Sequence, residues 1–140
     1  MSAVEINVTP FKFKHLESLI SLLKSQNYPD IHNIQMRTLP KVGYIAFCGK
    51  EPIACGFLRR LEPCFAQIDT LVSNGFMGSV IRHEGIKIVV ENLIEDAKRL
   101  KLEGIIAHTM DNGTLKRAES IGFKVVPQTI IALSLQEPSA

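Results

Sequence analysis

The clearest pattern of apolar and polar positions lies in the middle of the chain. Residues 68–72 form a short, largely apolar run that leads into a turn containing glycine, and a run of this kind predicts a strand. After the turn, apolar residues recur at the i, i+3, i+4, i+7 spacing that predicts an amphipathic helix lying on a core. This apolar stripe consists of Ile86, Val89, Val90, Leu93, Ile94, Ala97 and Leu100.

The start of this helix is expected at the sequence Arg82-His83-Glu84-Gly85. The first N–H groups of a helix have no intrahelical partner, and the helix dipole is positive at that end. A strand, a glycine-containing turn and an open helix N-terminus therefore predict a site for an anion, above all a phosphate.

The rest of the chain predicts strands and helices in a mixed order. Strands are predicted at residues 4–8, 42–48, 53–60, 65–72 and 105–107, and a strand-like pattern interrupted by Pro127 covers residues 125–135. Helices are predicted at residues 14–27 and 114–121, whereas residues 31–37 form either a short helix or a loop. Three consecutive strands followed by strand–helix alternation predict a mixed sheet with helices on its faces.

Composition and charge narrow the class of protein. A chain of 140 residues favours one domain, residues 1–140, and is long enough to bury a core. The hydrophobic fraction of 46% and the charged fraction of 21% are typical of a globular protein. With a net charge of +2, basic pairs such as Arg59-Arg60 are more typical of a solvated surface than of a nucleic-acid-binding face. Nucleic acid is therefore not an expected partner.

The location expected from the sequence is the cytoplasm. No apolar run approaches the ~20 residues that a membrane span needs, and residues 1–10 lack the charged and apolar regions of a signal peptide. The cysteines form no CxxC pattern, and a free thiol in a strand-like run behaves as a small apolar residue. We expect a reduced, cytoplasmic protein that makes no use of a membrane. The cysteines are Cys48, Cys55 and Cys64.

Metal-dependent and serine-nucleophile chemistry find no support in the residue spacing. The histidines are scattered and lie apart from the cysteines, so no Cys/His pair has metal-ligand spacing and we expect no metal. No GxSxG sequence marks a serine nucleophile. The histidines are His15, His32, His83 and His108.

Two motifs and the order of elements resemble the GNAT superfamily of acetyl-CoA-dependent N-acetyltransferases. The first motif, Arg82-His83-Glu84-Gly85-Ile86-Lys87, is similar to the family's Gln/Arg-x-x-Gly-x-Gly/Ala loop, and the second consists of Asn112 with Ile121-Gly122-Phe123. The element order covers essentially the whole chain, and the motif detail covers residues 68–124. The resemblance implies an α/β (α+β) fold with a GNAT-like mixed, mostly antiparallel twisted sheet of about six or seven strands flanked by about three or four helices.

The resemblance also implies a site for acetyl-CoA as co-substrate. In the family, backbone N–H groups of the loop hold the cofactor pyrophosphate at a helix N-terminus, and the pantetheine lies where the fourth and fifth strands separate. Leu71 and Val72 would line the pantetheine. Asn112 would face the cofactor, although Asn is equally a preferred helix N-cap. The residues expected at the phosphates are Ile81, Arg82, His83, Glu84, Gly85, Ile86 and Lys87.

Two residues are candidates for the chemistry of acetyl transfer. A base must remove a proton from an ammonium group before the amine can attack, and the leaving thiolate needs a donor. Asp69 lies on the strand where family members often carry the base; its alternative role is an ion pair with Arg59 or Arg60. His108 ends the fifth strand and could act as acid or base, or be a structural histidine.

Three departures from the family pattern leave two functions open. Lys87 stands where the family has a second small residue, the turn over residues 73–81 is longer than usual, and Ala118 stands where many members carry a tyrosine as general acid. The first hypothesis is an N-acetyltransferase that moves acetyl to a primary amine by direct attack in a ternary complex. The second is a catalytically degenerate GNAT-fold binding or regulatory protein. A chance motif match on another α/β fold is a third alternative.

The acceptor is not specified by any pattern in the chain. In such folds it is held by the first helices and their connection, here residues 14–39, and by the turn after the last helix. A small-molecule amine and a peptide amine are both compatible with these residues. The resemblance makes a homodimer through the last strands a further hypothesis.

Overall fold

In the computed structural model, residues 5–28, 34–61, 63–108, 112–127, 131–133 and 135 are described, and the chain divides into two compact units, Met1–His108 and Thr109–Ala140. The second unit contains helix α3 (Asn112–Ile121). That residues 1–140 form one domain stays a prediction. The elements of the first unit are β1 (Ile6–Pro10), α1 (Leu16–Ser25), β2 (Val42–Cys48), β3 (Glu51–Leu61), β4 (Phe65–Ser73), α2 (Ser79–Arg99) and β5 (Gly104–Ile106), with 3-10 turns at Phe13–His15 and Met36–Thr38.

The five strands of the first unit form one mixed, mostly antiparallel sheet in the order β1-β2-β3-β4-β5. The pairs from β1 to β4 are antiparallel, and β4 pairs with β5 in parallel. A tight turn joins β2 to β3, with Gly49 at φ 61°, whereas the parallel pair requires a crossover and receives it from α2. The predicted fold class is confirmed, and this is the GNAT-like arrangement expected from the resemblance.

A helix covers each face of the sheet. On one face, Leu19, Leu22 and Leu23 of α1 are almost fully buried against a strand cluster. Burial of one such leucine stabilises the fold by roughly 1.5–3 kcal/mol. The strand residues of this cluster are Ile45, Cys55, Phe57 and Val72. The buried residues of α2 are Gly85, Val89, Val90, Leu93 and Ala97.

The buried face of α2 largely confirms the predicted stripe. Leu100 is the exception, because it follows the helix and is 44% exposed. A polar contact also fixes the second half of α2 on the sheet: the hydroxyl of Tyr44 in β2 donates to Asp96 Oδ2 at 2.8 Å. Arg99 Nη2 lies 2.7 Å from the other oxygen of Asp96. Burial and the contact with Asp96 raise the pKa of Tyr44 above 10.0.

The start of α2 differs from the sequence prediction. The helix begins at Ser79, with Gly78 as its N-cap, so the turn after β4 covers only residues 74–78. The predicted start at Arg82 and the predicted long turn over residues 73–81 are therefore wrong. The reason is physical: Val80 in the first turn is 75% exposed, so this apolar residue lies off the buried face from which the periodicity of the helix is recognised.

Other boundaries shift by a few residues, and two predicted elements are absent from the residues that can be described. Residues 125–127, 131–133 and 135 lie in neither helix nor strand. Among the described residues the sheet therefore has five strands rather than six or seven. Residues 128–130 and 134 lie outside the described part. For the predicted helix at 31–37, residues 31–33 lie outside it too, and a 3-10 turn occupies Met36–Thr38.

Among the helices of the described residues, none has the length and apolar character to cross a membrane.

Candidate functional site

The sheet opens between β4 and β5. The two strands pair only at Phe65–Gly104, Ala66–Ile105 and Gln67–Ile106, yet β4 continues to Ser73. In the described part of the chain, no strand pairs with residues 68–73 of β4 on the β5 side. The second half of β4 therefore presents its edge to a gap, as the resemblance implies.

A β-bulge lies in β4 at this gap. Asp69 pairs with Phe57 and Val72 pairs with Cys55, so Thr70 and Leu71 together face the single residue Gly56. Thr70 has φ 52°, a left-handed value that costs a residue of this type on the order of 1–3 kcal/mol. Bulges redirect the strand and the residues that follow, and they occur often next to active sites.

Leu71 and Val72 contribute differently to the walls of the gap. A Cβ on Gly56 would lie 2.8 Å from Leu71 Cδ1 and 3.1 Å from Val89 Cγ1, so the Leu71 side chain lies on the α2 side of the sheet. Val72 is 4% exposed and belongs to the core beneath α1. Only the backbone of Val72 is available to a ligand in the gap.

The N-terminus of α2 is open and lies just beyond the end of β4. Gly78 provides no side-chain cap, and the first turn holds no acidic residue. The Arg82 N–H donates to Gly78 O at 3.1 Å, so the amides without an intrahelical partner are those that precede it, at residues 79–81. Arg82 Nε donates to Ser73 Oγ at 3.1 Å, which brings a guanidinium group to the junction of β4 and α2.

Asn74 fixes the turn that carries this N-terminus. Its N–H donates to Ile53 O at 2.7 Å and its side-chain amide donates to Pro52 O at 3.0 Å. Its Oδ1 accepts from the Phe76 N–H at 2.9 Å. The Gly75 N–H donates to Ser25 Oγ of α1 at 2.8 Å. The donors at the start of α2 are thus held in place before any ligand binds.

The motif residues after Arg82 lie within the helix rather than at its open end. Gly85 is buried, and a Cβ there would overlap Ile53 Cγ2 and lie 3.4 Å from Ala54 Cβ. The glycine thus lets α2 approach β3. The backbone amides of residues 83–87 are internal to α2, which begins at Ser79. Of the residues predicted at the phosphates, only Ile81 and Arg82 lie at the open end of α2, together with Ser79 and Val80, which were not among them. A role of any of these residues at phosphates stays a prediction.

Lys87 does not obstruct the start of α2. It is exposed, and at ~1.5 Å per residue its position is about 12 Å along the helix from Ser79. Together with Glu84 it borders a groove of about 480 Å³ on the side of α2 that faces Ile6 of β1. His83 and Ile86 are half-buried.

Asp69 forms the ion pair that the sequence analysis gave as its alternative role. Its Oδ2 lies 2.7 Å from Arg59 Nε, and its side chain is 29% exposed. Its Oδ1 accepts from the Thr70 hydroxyl at 3.0 Å. Arg59 Nη2 also donates to Thr38 O at 3.2 Å. Both carboxylate oxygens are therefore engaged, and a role for Asp69 as a base stays a prediction.

His108 lies at the closed end of the gap. It is exposed just after β5, and its Nδ1 is 3.5 Å from Gln67 Nε2. Gln67 is the last residue of β4 that pairs with β5, and Asp69 follows two residues later on the same face of the strand. The structure therefore brings His108 and Asp69 to the same end of the gap.

The second motif explains how α3 ends. The Gly122 N–H donates to Glu119 O at 3.1 Å and the Phe123 N–H donates to Ala118 O at 3.0 Å. Gly122 has φ 113°, a value that favours glycine. Asn112 is the first residue of α3, in the second unit, and its role at a cofactor stays a prediction.

Among the described residues, no group of three or more His, Cys, Asp or Glu side chains could hold a metal ion. The absence of a metal from the function stays an expectation.

Comparison with known proteins identifies the fold. Neither protein-family models nor curated protein sequences give a match. Among solved structures, a GNAT-family acetyltransferase from Streptococcus pneumoniae superposes with a TM-score of 0.75 at 13% identity, over 94% of this chain and 100% of that chain. An acetyltransferase from Streptococcus agalactiae gives 0.69 at 16% identity, over 95% and 92% of the two chains.

A third solved structure contains a coenzyme A conjugate. The protein AAC(6')-Iy, in complex with the bisubstrate analogue CoA-S-monomethyl-acetylneamine, gives a TM-score of 0.65 at 16% identity, over 93% of this chain and 98% of that chain. At these identities the likeness establishes a shared fold. The chain has the fold of GNAT acetyltransferases over nearly its whole length.

Proposed function

We propose that this protein is an acetyl-CoA-dependent N-acetyltransferase that transfers acetyl to a primary amine by direct attack in a ternary complex. The observation that carries the proposal is the gap beside β4, which ends next to an open, uncapped helix N-terminus. The fold is shared with acetyltransferases, one of them in complex with a coenzyme A conjugate.

The proposed cofactor site uses backbone more than side chains. The amides of Ser79, Val80 and Ile81, with the Arg82 guanidinium, would hold the pyrophosphate, because a helix N-terminus and an arginine both favour a doubly charged anion. The pantetheine would lie along β4 beyond Gln67, against Leu71 and the backbone of Val72. Asn112 remains a proposed contact from α3.

The proposed chemistry places proton transfer at the closed end of the gap. Acetyl-CoA supplies an activated thioester. His108 is the better placed of the two candidates for proton transfer, because among the described residues its ring has only a long contact to Gln67, whereas Asp69 is held by Arg59 and Thr70. At the bulge, Thr70 and Leu71 share one partner on β3, and because a bulge leaves one residue unpaired, a peptide N–H there would polarise the thioester carbonyl.

The second candidate function is a binding or regulatory protein with this fold. The engagement of both Asp69 oxygens favours it, as does Ala118, half-buried in α3, where the family resemblance places a tyrosine. This alternative predicts that the protein binds acetyl-CoA or a partner without turning over.

Calorimetric titration with acetyl-CoA and with coenzyme A separates these functions. A micromolar dissociation constant, about 8 kcal/mol, is expected if the gap holds the cofactor. A screen of small and peptide amines should then give transfer that falls about 100-fold or more in the His108→Gln variant, with acetyl-CoA affinity unchanged. Binding without turnover supports the regulatory protein. The absence of both binding heat and thermal stabilisation at millimolar acetyl-CoA would exclude the cofactor site.

A further inference from the structure

A second groove of the first unit lies at the opposite end of α2. It has a volume of about 380 Å³ and runs between the start of β2, the end of β3 and the residues that follow α2. Since α2 covers Ser79–Arg99, its two ends are about 30 Å apart. The groove is therefore separate from the open N-terminus to which we assign the cofactor phosphates.

The floor of this groove is aliphatic and includes an exposed leucine. Leu100, directly after α2, is 44% exposed, and Leu102 is held beside it by an N–H that donates to Ala97 O at 3.0 Å. A leucine side chain in water is unfavourable, and burial by an apolar group reverses that cost. The aliphatic lining residues are Val42, Leu58, Leu100 and Leu102.

The rim of the groove is cationic. Lys41, Arg59 and Arg60 line it, and none of the described lining residues carries a carboxylate. Arg59 is paired with Asp69. Lys41 and Arg60 are exposed, and within the described residues neither forms an ion pair. Two cations without a carboxylate partner among the described residues thus border an apolar floor.

We propose that this groove docks a polypeptide segment that alternates aliphatic and acidic residues. Its aliphatic side chains would cover the exposed Leu100 and the half-buried Leu102. Its carboxylates would meet Lys41 and Arg60, so charge and apolar surface are matched together. Nucleic acid fits less well, because none of the described lining residues is aromatic and the floor of the groove is aliphatic, whereas single strands bind mainly by stacking of bases on aromatic side chains. An anionic membrane surface calls for a cluster of about four or more cations, and the described residues of this groove provide two without a carboxylate partner.

The test is a fluorescence anisotropy titration with a labelled synthetic peptide of about twelve residues that alternates pairs of leucine with pairs of glutamate. The expected dissociation constant is on the order of 10–100 μM at low salt. It should rise about fivefold in 0.3 M salt, because salt screens the exposed charges of the rim.

Matched variants assign the binding to the groove. The double variant Lys41→Glu/Arg60→Glu should weaken binding by about tenfold or more, and Leu100→Gln by about fivefold, since each removes one half of the match. Lys50→Glu is the control, because Lys50 is exposed in the turn at the other end of β2 and β3; it should bind as the unchanged protein does. Circular dichroism checks that each variant is folded. The double variant should bind acetyl-CoA as the unchanged protein does, which would show that the groove and the cofactor site are separate.

Four results would overturn the proposal. These are the absence of binding up to about 1 mM peptide, equal weakening by Lys50→Glu, equal affinity for a peptide with serine in place of leucine, and tighter binding of a single-stranded oligonucleotide or of phosphatidylserine vesicles. The last result would assign the cationic rim to a different class of partner.

Discussion

Gly85 shows how one residue can belong to a ligand-site motif and yet be required by packing. The sequence places it in a loop similar to a pyrophosphate-binding loop, whereas the structure buries it in the second turn of α2 against Ile53 and Ala54 of β3. Helix and sheet are in direct contact at this point. The match to the motif therefore reflects the close packing of α2 on β3 as well as any ligand that binds nearby.

Replacement of Gly85 by alanine tests the packing role. The added methyl group must displace Ile53, so we expect the free energy of unfolding to fall by about 1–3 kcal/mol, offset in part by the better helix propensity of alanine, up to about 1 kcal/mol. Urea denaturation measures the change. Gly78→Ala is the matched control for the added methyl group, because a Cβ on Gly78 meets nothing within 4 Å and the residue has an ordinary φ of −65°. Its expected loss is limited to the poorer N-cap preference of alanine, about 1 kcal/mol or less.

A Gly85→Ala protein with unchanged stability and lost acetyl-CoA affinity would contradict this interpretation. It would return Gly85 to the ligand site, and the helix–sheet contact would then be too loose to require a glycine.

At the scale of elements, the first turn of α2 carries the proposed phosphate site, and it was the part of the helix that apolar periodicity could not locate. Periodicity reports only the turns that pack on a core, and Val80 is exposed. The pair Gly78-Ser79, residue types that favour helix N-caps, was the available signal for the boundary. The bulge at Thr70 could not be predicted from the sequence, because β-branched residues rarely adopt a positive φ and nothing local indicates one here.

Arg82 provides the test of this N-terminus. We expect Arg82→Gln to weaken acetyl-CoA binding about tenfold, because the variant loses a cation at the end of β4 while the amides of residues 79–81 remain. Lys98→Gln is the control on the same helix: Lys98 is exposed near the C-terminus of α2 and has a 3.6 Å surface contact to Glu95, which is worth little.

Calorimetry of the two variants beside the unchanged protein measures the effect. Equal affinity in all three proteins would move the phosphates away from Arg82. A loss of affinity in both variants would indicate a general electrostatic effect rather than a site.

At the scale of the whole molecule, strand order and sheet class could be predicted because local signals agreed with one another. Three strand segments joined by short turns pair as antiparallel neighbours, and a strand–helix–strand segment makes a parallel pair. The gap between β4 and β5 was accessible only through family resemblance, since it depends on where pairing stops after Gln67 and Ile106. No periodicity in either strand marks that point.

Cys55 reports on the stability of the whole fold. It is 0% exposed within the core cluster beneath α1, and burial raises the pKa of its thiol far above the ordinary value. A buried, protonated thiol reacts only after the fold opens. In a Cys48→Ser/Cys64→Ser background, where Cys55 is the remaining cysteine, its labelling rate by a thiol reagent therefore measures the free energy of opening.

Acetyl-CoA should slow this labelling if the native state binds it. At a concentration about 100 times the dissociation constant, binding stabilises the native state by about 2.7 kcal/mol, which corresponds to roughly 100-fold slower labelling when closing is faster than reaction. Acetyl-CoA has no free thiol, so it does not consume the reagent. Identical rates with and without acetyl-CoA, together with no heat in calorimetry, would rule out binding to the native state. If acetyl-CoA slows labelling much less than the dissociation constant from calorimetry predicts, Cys55 is exposed by a local opening beneath α1 that leaves the cofactor site intact.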